Sequence, residues 1–281
     1  MKKICFALVS LAAVVAVASC NKDAAPAPAG GASREIILNV GDGMNAVVDT
    51  KAVTPTTSLS SVYWGASTGT TTETVKWATA SKAVSSGKVN TGYYQTATPT
   101  AYNYYAANQT FTVAGDMTVA NANTDIVAGR TAQNSITTPS ITLNHIFART
   151  GTLTCNAQSG YTVSGVSWKI VGKSEINGTA GTYNMKSQSW TAASTKLSTA
   201  TAITSSSDMY LIPGTYTLQV TYTLKKGDDY TKTFTKSADV TLVAGKVNNV
   251  TVTAIGGDAS EIVLSLSLTA WGSQNHTPTL G

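Results

Sequence analysis

The stretch Tyr216-Thr217-Leu218-Gln219-Val220-Thr221-Tyr222-Thr223-Leu224 alternates large apolar and polar side chains without interruption. Successive side chains of an extended strand point to opposite faces, so period two marks a strand with one face buried. The run ends in Lys225-Lys226-Gly227-Asp228-Asp229, a cluster of turn-forming residues, and a second alternating stretch follows from Tyr230 to Val243. Together they predict a β-hairpin, with Pro213-Gly214 marking the bend before it. The same period recurs in Ile36, Leu38 and Val40, and again in Ile141, Leu143 and Phe147. No capped apolar stripe is long enough for a core helix. An all-β protein built as a β-sandwich is therefore expected.

Composition agrees. Of 281 residues, 46 are threonine and only 12% are charged, about half the usual share of a soluble chain. Hydroxyls thus supply much of the polar surface, and threonine's branched Cβ suits a pleated backbone. The length gives room for one large domain or two ordinary ones. Arg149-Thr150-Gly151 reads as a break dividing the chain into parts at 34–148 and 149–281, each long enough for a sandwich of about seven strands. A single continuous sandwich is the alternative. The net charge of +5 falls to +3 once Lys2 and Lys3 are set aside, from 17 basic and 14 acidic residues. No cluster of basic residues remains, which excludes nucleic acid as a partner.

Lys2 and Lys3 open a short cationic segment, followed by the uncharged, largely apolar Ile4 to Ala18. Fifteen residues are too few to span a bilayer comfortably, so 1–19 reads as an export signal. It ends in Val17-Ala18-Ser19-Cys20, similar to the bacterial lipobox, in which the cysteine becomes N-terminal and is acylated; ordinary signal cleavage is the alternative. Residues 20–33 are rich in Ala, Pro and Gly and read as a lipidated tether. Cys155 then stands without a partner cysteine. An inert packed thiol is favoured over a nucleophile, because Thr152-Leu153-Thr154-Cys155-Asn156 has no catalytic signature.

Other chemistry finds little support. His145 shares strand parity with Leu143 and Phe147 and is expected to be a hydrogen-bonded structural histidine. No zinc pair, nucleophile elbow, calcium loop or phosphate-binding loop occurs. Asp228 and Asp229 lie in a turn, and Glu35 and Glu261 open strands, where charge at an edge discourages aggregation. The chain is read as non-enzymatic, with no metal and no cofactor. Tyr93, Tyr94, Tyr102, Tyr104 and Tyr105, with Trp64 and Trp77, form either a platform for sugar rings or the core of the N-terminal part. A platform requires at least two coplanar, exposed rings. For the core alternative, Tyr102 and Tyr104 share one strand face and Tyr105 takes the other.

Two segments resemble each other. Glu35-Ile36-Ile37-Leu38-Asn39-Val40 and Glu261-Ile262-Val263-Leu264-Ser265-Leu266, the latter continuing to Leu268, match on both faces when aligned on the glutamate. Alternating strands resemble one another by composition; the alternative is strand exchange. In that case the first segment is a placeholder that a neighbour's second segment (260–269) displaces, building a filament through main-chain pairing.

The whole chain resembles a fimbrillin of the Bacteroides and Porphyromonas type, a subunit of type V pili. The resemblance rests on the order of Cys20, the strand Glu35 to Val40, Thr50-Lys51-Ala52, Tyr102-Asn103-Tyr104-Tyr105-Ala106 and Asn123 to Ala128. It continues through Leu143 to Ala148, Tyr210-Leu211-Ile212-Pro213-Gly214, Ala244 to Asn248 and Trp271. It implies two transthyretin-like β-sandwich domains in tandem after a lipoprotein signal peptide and short linker, with palmitate-type acylation at Cys20. It also implies an outer-membrane precursor, proteolytic loss of the first strand, and donor-strand polymerisation into an extracellular fimbrium that contributes to adhesion. The implied partners are other fimbrial subunits, the outer membrane through the lipid, and host proteins or glycans. Cleavage after arginine is typical of the family, yet the one arginine before Arg130 is Arg34, where a cut would leave the strand attached; Lys51 is the candidate processing site. A surface lipoprotein that does not polymerise and a tip adhesin are the alternatives to a stalk subunit.

Overall fold

The computed structural model describes residues 34–41, 59–95, 100–120, 124–134, 138–204, 209–255 and 262–270. Residues 1–33, where an export signal and a tether with Cys20 are expected, lie outside the described residues, as do Lys51, Glu261 and Trp271. Among those described, all regular structure is strand, as expected of a chain so rich in threonine, valine and tyrosine. In chain order the strands begin with β1 (Arg34–Gly41), β2 (Ser61–Thr68), β3 (Thr74–Ala83), β4 (Lys88–Gln95) and β5 (Tyr102–Ala107). Then come β6 (Asp116–Val119), β7 (Val127–Asn134), β8 (Ser140–Thr142), β9 (Asn144–His145) and β10 (Ala148–Ala157). The remainder are β11 (Thr162–Gly172), β12 (Gly178–Asn184), β13 (Ser189–Lys196), β14 (Thr201–Ile203), β15 (Tyr210–Leu211), β16 (Gly214–Lys226), β17 (Tyr230–Leu242), β18 (Lys246–Ala254) and β19 (Ile262–Ala270).

These strands build β-sandwiches. A three-stranded sheet, β4-β1-β8, covers one face of a five-stranded sheet, β3-β2-β5-β7-β9. Ile36, Leu38, Val62, Trp64, Tyr104, Ile141 and Leu143 fill the space between them. In the C-terminal half, the sheets β15-β10-β18-β19 and β14-β11-β16-β17 enclose Trp168, Ile170, Leu218, Tyr222, Phe234 and Val252. The hairpin of β16 and β17 pairs without a slip from Gly214↔Leu242 to Lys226↔Tyr230. Its inward side chains at 216, 218, 220, 222 and 224 are all buried. The alternation therefore reads directly as a two-faced strand.

A third core joins the halves. β6 pairs with β12 (Val119↔Gly181, Met117↔Tyr183), and with β13 they form a small sheet drawn from both parts of the chain. It covers the second face of the five-stranded sheet, where Tyr105, Phe111, Met117, Phe147, Tyr183 and Tyr210 pack. β5 is consequently buried on both faces over its whole length. Arg149–Gly151, read from the sequence as a break, lies inside β10 rather than in a linker. Arg149 itself is fully buried.

Candidate functional site

β1 occupies the middle of its sheet. It runs antiparallel to β4 on one side and parallel to β8 on the other, and those two strands do not pair with each other. Ile36 and Leu38 are fully buried and Val40 nearly so, whereas Glu35, Ile37 and Asn39 stay partly exposed. The three aliphatic side chains thus plug a groove whose walls are β4 and β8 and whose floor is the five-stranded sheet. Main-chain bonds seat the far end: the Val40 N–H donates to the Gly87 carbonyl at 2.8 Å, and the Asn39 N–H to the Pro139 carbonyl at 2.9 Å.

The near end is irregular. Glu35 faces Tyr94 and Ile37 faces Asn90, so Thr91, Gly92 and Tyr93 of β4 stand against Ile36 alone. Such a bulge leaves main-chain groups without ladder partners, and side chains supply them. The Gly92 N–H donates to Glu35 Oε1 at 3.0 Å, Thr91 Oγ1 donates to the Ile36 carbonyl at 2.7 Å, and the Tyr93 N–H donates to Thr91 Oγ1 at 3.1 Å. Gly92 adopts φ = 77°, a conformation that favours glycine. The edge-charge reading of Glu35 is corrected here: β1 is a central strand, and the carboxylate caps a bulge.

β19 is placed differently. Among the described residues it is the last strand of its sheet, hydrogen-bonded on one side only, in register with β18 from Ile262↔Ala254 to Ala270↔Lys246. Leu264 stands opposite Val252 and Leu266 opposite Val250, both of which are buried core residues. Nine residues without a charge therefore form a sheet edge. Exposed edges are usually protected by charge, and the edge strand β17 shows the contrast. Its Lys232 and Lys236 share strand parity with the buried Phe234, and their ammonium groups lie 5.3 and 5.8 Å from that ring.

The aromatic cluster does not form a flat platform. Trp77 meets Tyr93 at 41° and Tyr102 at 45°, each with centroids 4.8 Å apart, and Trp64 meets Trp77 at 54°. Trp64, Tyr102, Tyr104 and Tyr105 are buried, with Tyr102 and Tyr104 in one core and Tyr105 in another. Of the set, Tyr94 alone is a largely exposed ring, at 40%. This is core packing.

His145 is buried, with Nδ1 2.9 Å from Asp125 Oδ1, at the seam of the two halves. It lines a cleft of about 490 Å³ together with Ile146, Tyr183, Trp190 and Pro213. Cys155 packs half-buried at the edge of the C-terminal core, and burial pushes its thiol above the ordinary value. Among the described residues no group of three or more His, Cys, Asp and Glu could hold a metal ion.

One polar cluster was not legible in the sequence. Glu73 is buried against Arg130 (2.8 Å), accepts hydrogen bonds from Ser67 and from Tyr105 (2.5 Å), and lies 3.7 Å from Lys186 of the other half. Lys186 Nζ also donates to the Thr71 carbonyl at 2.7 Å. Burial pushes the Glu73 carboxyl upward, but those hydrogen bonds and the two cations outweigh it and hold the group below its ordinary value. The cluster ties the halves together beside the third core.

No protein-family model matches the chain, and no curated protein sequence matches it. Solved structures do. A fimbrial protein from Bacteroides vulgatus superposes with a TM-score of 0.53 at 15% identity, covering 85% of this chain and 99% of that one. A cell adhesion protein, so described provisionally, from Parabacteroides distasonis gives 0.52 at 10% identity, covering 88% and 99%. At these identities the likeness shows a shared fold, the β-sandwich architecture described above.

Proposed function

We propose that the chain is a structural subunit of a cell-surface fimbria, made as a lipoprotein acylated at Cys20 and polymerised by donor-strand exchange. The observation that carries this reading is the seating of β1. A central strand supplies three plugs to a core, yet pairs with two strands that have no other link in that sheet. Its loss would leave a groove with unpaired main-chain groups on both walls and apolar pockets between them, which is the chemistry of a β-strand acceptor.

Support for the donor comes from β19. It repeats the Ile-x-Leu-x-aliphatic pattern of β1 and ends its sheet without the charges that protect β17. A strand held by one ladder can be released without dividing a sheet. Because donor and acceptor lie on different parts of the chain, the contact is heterologous and grows as a filament. In this reading 34–148 and 149–281 are the two sandwich units, Lys51 is the processing site, and the role is assembly and adhesion rather than catalysis. The lipidated precursor sits in the outer membrane and the mature subunit in the fimbrium. The fold shared with a fimbrial protein agrees with this assignment.

The test is the intact mass and N-terminal sequence of the protein sheared from the cell surface. An N-terminus between Val40 and Ser58, within an SDS-resistant ladder, is expected. A lipidated Cys20 on a monomer band would overturn polymerisation and leave an anchored surface lipoprotein.

A further inference from the structure

Aliphatic matching alone does not fix how a donor strand would sit in the groove. β1 presents three plugs, Ile36, Leu38 and Val40, whereas the segment from Ile262 to Leu268 carries four aliphatic residues at the same spacing. A shift of one residue is excluded, because it turns the apolar face outward. A shift of two is not. The plugs could be Ile262, Leu264 and Leu266, or Leu264, Leu266 and Leu268.

The β4 bulge distinguishes the two. In the chain's own β1 the residue before the first plug is Glu35, and its carboxylate accepts the Gly92 N–H at 3.0 Å. Gly92 is at positive φ with its N–H turned from the regular ladder, and Lys82 Nζ lies 3.8 Å from where a Cβ on Gly92 would stand. The bulge is thus a notch that takes a carboxylate. In the first register the residue before the first plug is Glu261; in the second it is Val263, which offers no acceptor.

We infer that the Thr91–Gly92–Tyr93 bulge is a register-reading site, occupied by Glu35 of the chain itself and, after exchange, by Glu261 of a second copy. This rests on the strand-exchange reading above. A hydrogen bond to an ionised group is about twice as strong as a neutral one, and a part-buried N–H left without a partner is costly. The wrong register is therefore disfavoured by about tenfold.

Disulfide trapping in the full-length protein tests this, with Cys155→Ala throughout to remove the native thiol. Asn39 stands opposite the exposed Lys88. A donor in the first register brings Ser265 to Asn39's place, and in the second it brings Ser267 there. Polymers sheared from cells carrying Lys88→Cys with Ser265→Cys should crosslink between subunits, and those carrying Lys88→Cys with Ser267→Cys should not. Adding Glu261→Val should lower the ratio of the first crosslink to the second by about tenfold. An unchanged ratio would overturn the register role while leaving strand exchange in place. If polymers form and neither pair crosslinks, the groove is not the acceptor, and both readings fall.

Discussion

Leu38→Ala separates a strand that merely fills a core from one that is later replaced. Leu38 is fully inaccessible and sits in a core that also holds Trp64 and Tyr104, rigid side chains that cannot swing into a void. Buried leucine-to-alanine changes cost about 2.7–5 kcal/mol depending on how far the site collapses. With aromatic walls little collapse is expected, which places the cost toward the upper part of that range, at about 4 kcal/mol. That is roughly a thousandfold in the folded-to-unfolded ratio. At about 2–4 °C per kcal/mol for a chain of this size, the melting temperature of the unprocessed protein should fall by roughly 10 °C. Polymers assembled from the same variant should dissociate in hot SDS at the wild-type temperature, since the altered strand is no longer part of them. Circular dichroism on the precursor and gel analysis of sheared polymers give the two values. If both fall together, β1 remains in the polymer and the exchange argument fails.

Two further expectations follow from the charges. Because Glu73 is held below its ordinary value in the fold, it contributes stability that is present above the unfolded carboxylate range and lost as pH falls through its lowered folded value. Melting temperature should therefore drop on acidification below about pH 4.5, the group's ordinary value, and Glu73→Gln should flatten that drop; an equally steep profile in the variant would assign the acid sensitivity elsewhere. On β17, Lys232→Val with Lys236→Val should leave the fold intact but turn a protected edge into an adhesive one. Light scattering should show concentration-dependent association, and a monomer at all concentrations would mean that the lysines do not guard that edge.

The elements legible in the sequence are those whose signal is local. β16 and β17 alternate over thirteen residues each and meet at a polar turn, so neighbours alone define them. β1 shows the same alternation, and the parity that placed Tyr102 and Tyr104 apart from Tyr105 is a property of any strand. By contrast, β6 is four residues, Asp116 to Val119, and its pairing with β12 joins positions about 65 apart with no local mark. Glu73 is buried because Arg130, Tyr105 and Lys186 converge on it from three distant segments, so no window around Glu73 could reveal it. Glu35 was misread for a related reason. Whether a charge guards an edge or caps a bulge depends on the strand opposite, and the deciding residue, Gly92, is 57 positions away.

The core shared by the two halves has a mechanical consequence. A hinge needs a seam that slides, and here the seam is crossed by the β6–β12 ladder, by Tyr105, Phe147 and Tyr183, and by the Glu73–Lys186 pair. Each subunit would act as one stiff link. In the proposed filament the compliance would then reside at the joints between links. The persistence length would be governed by the connection between neighbouring copies, and bending would leave the interior of each subunit unstrained.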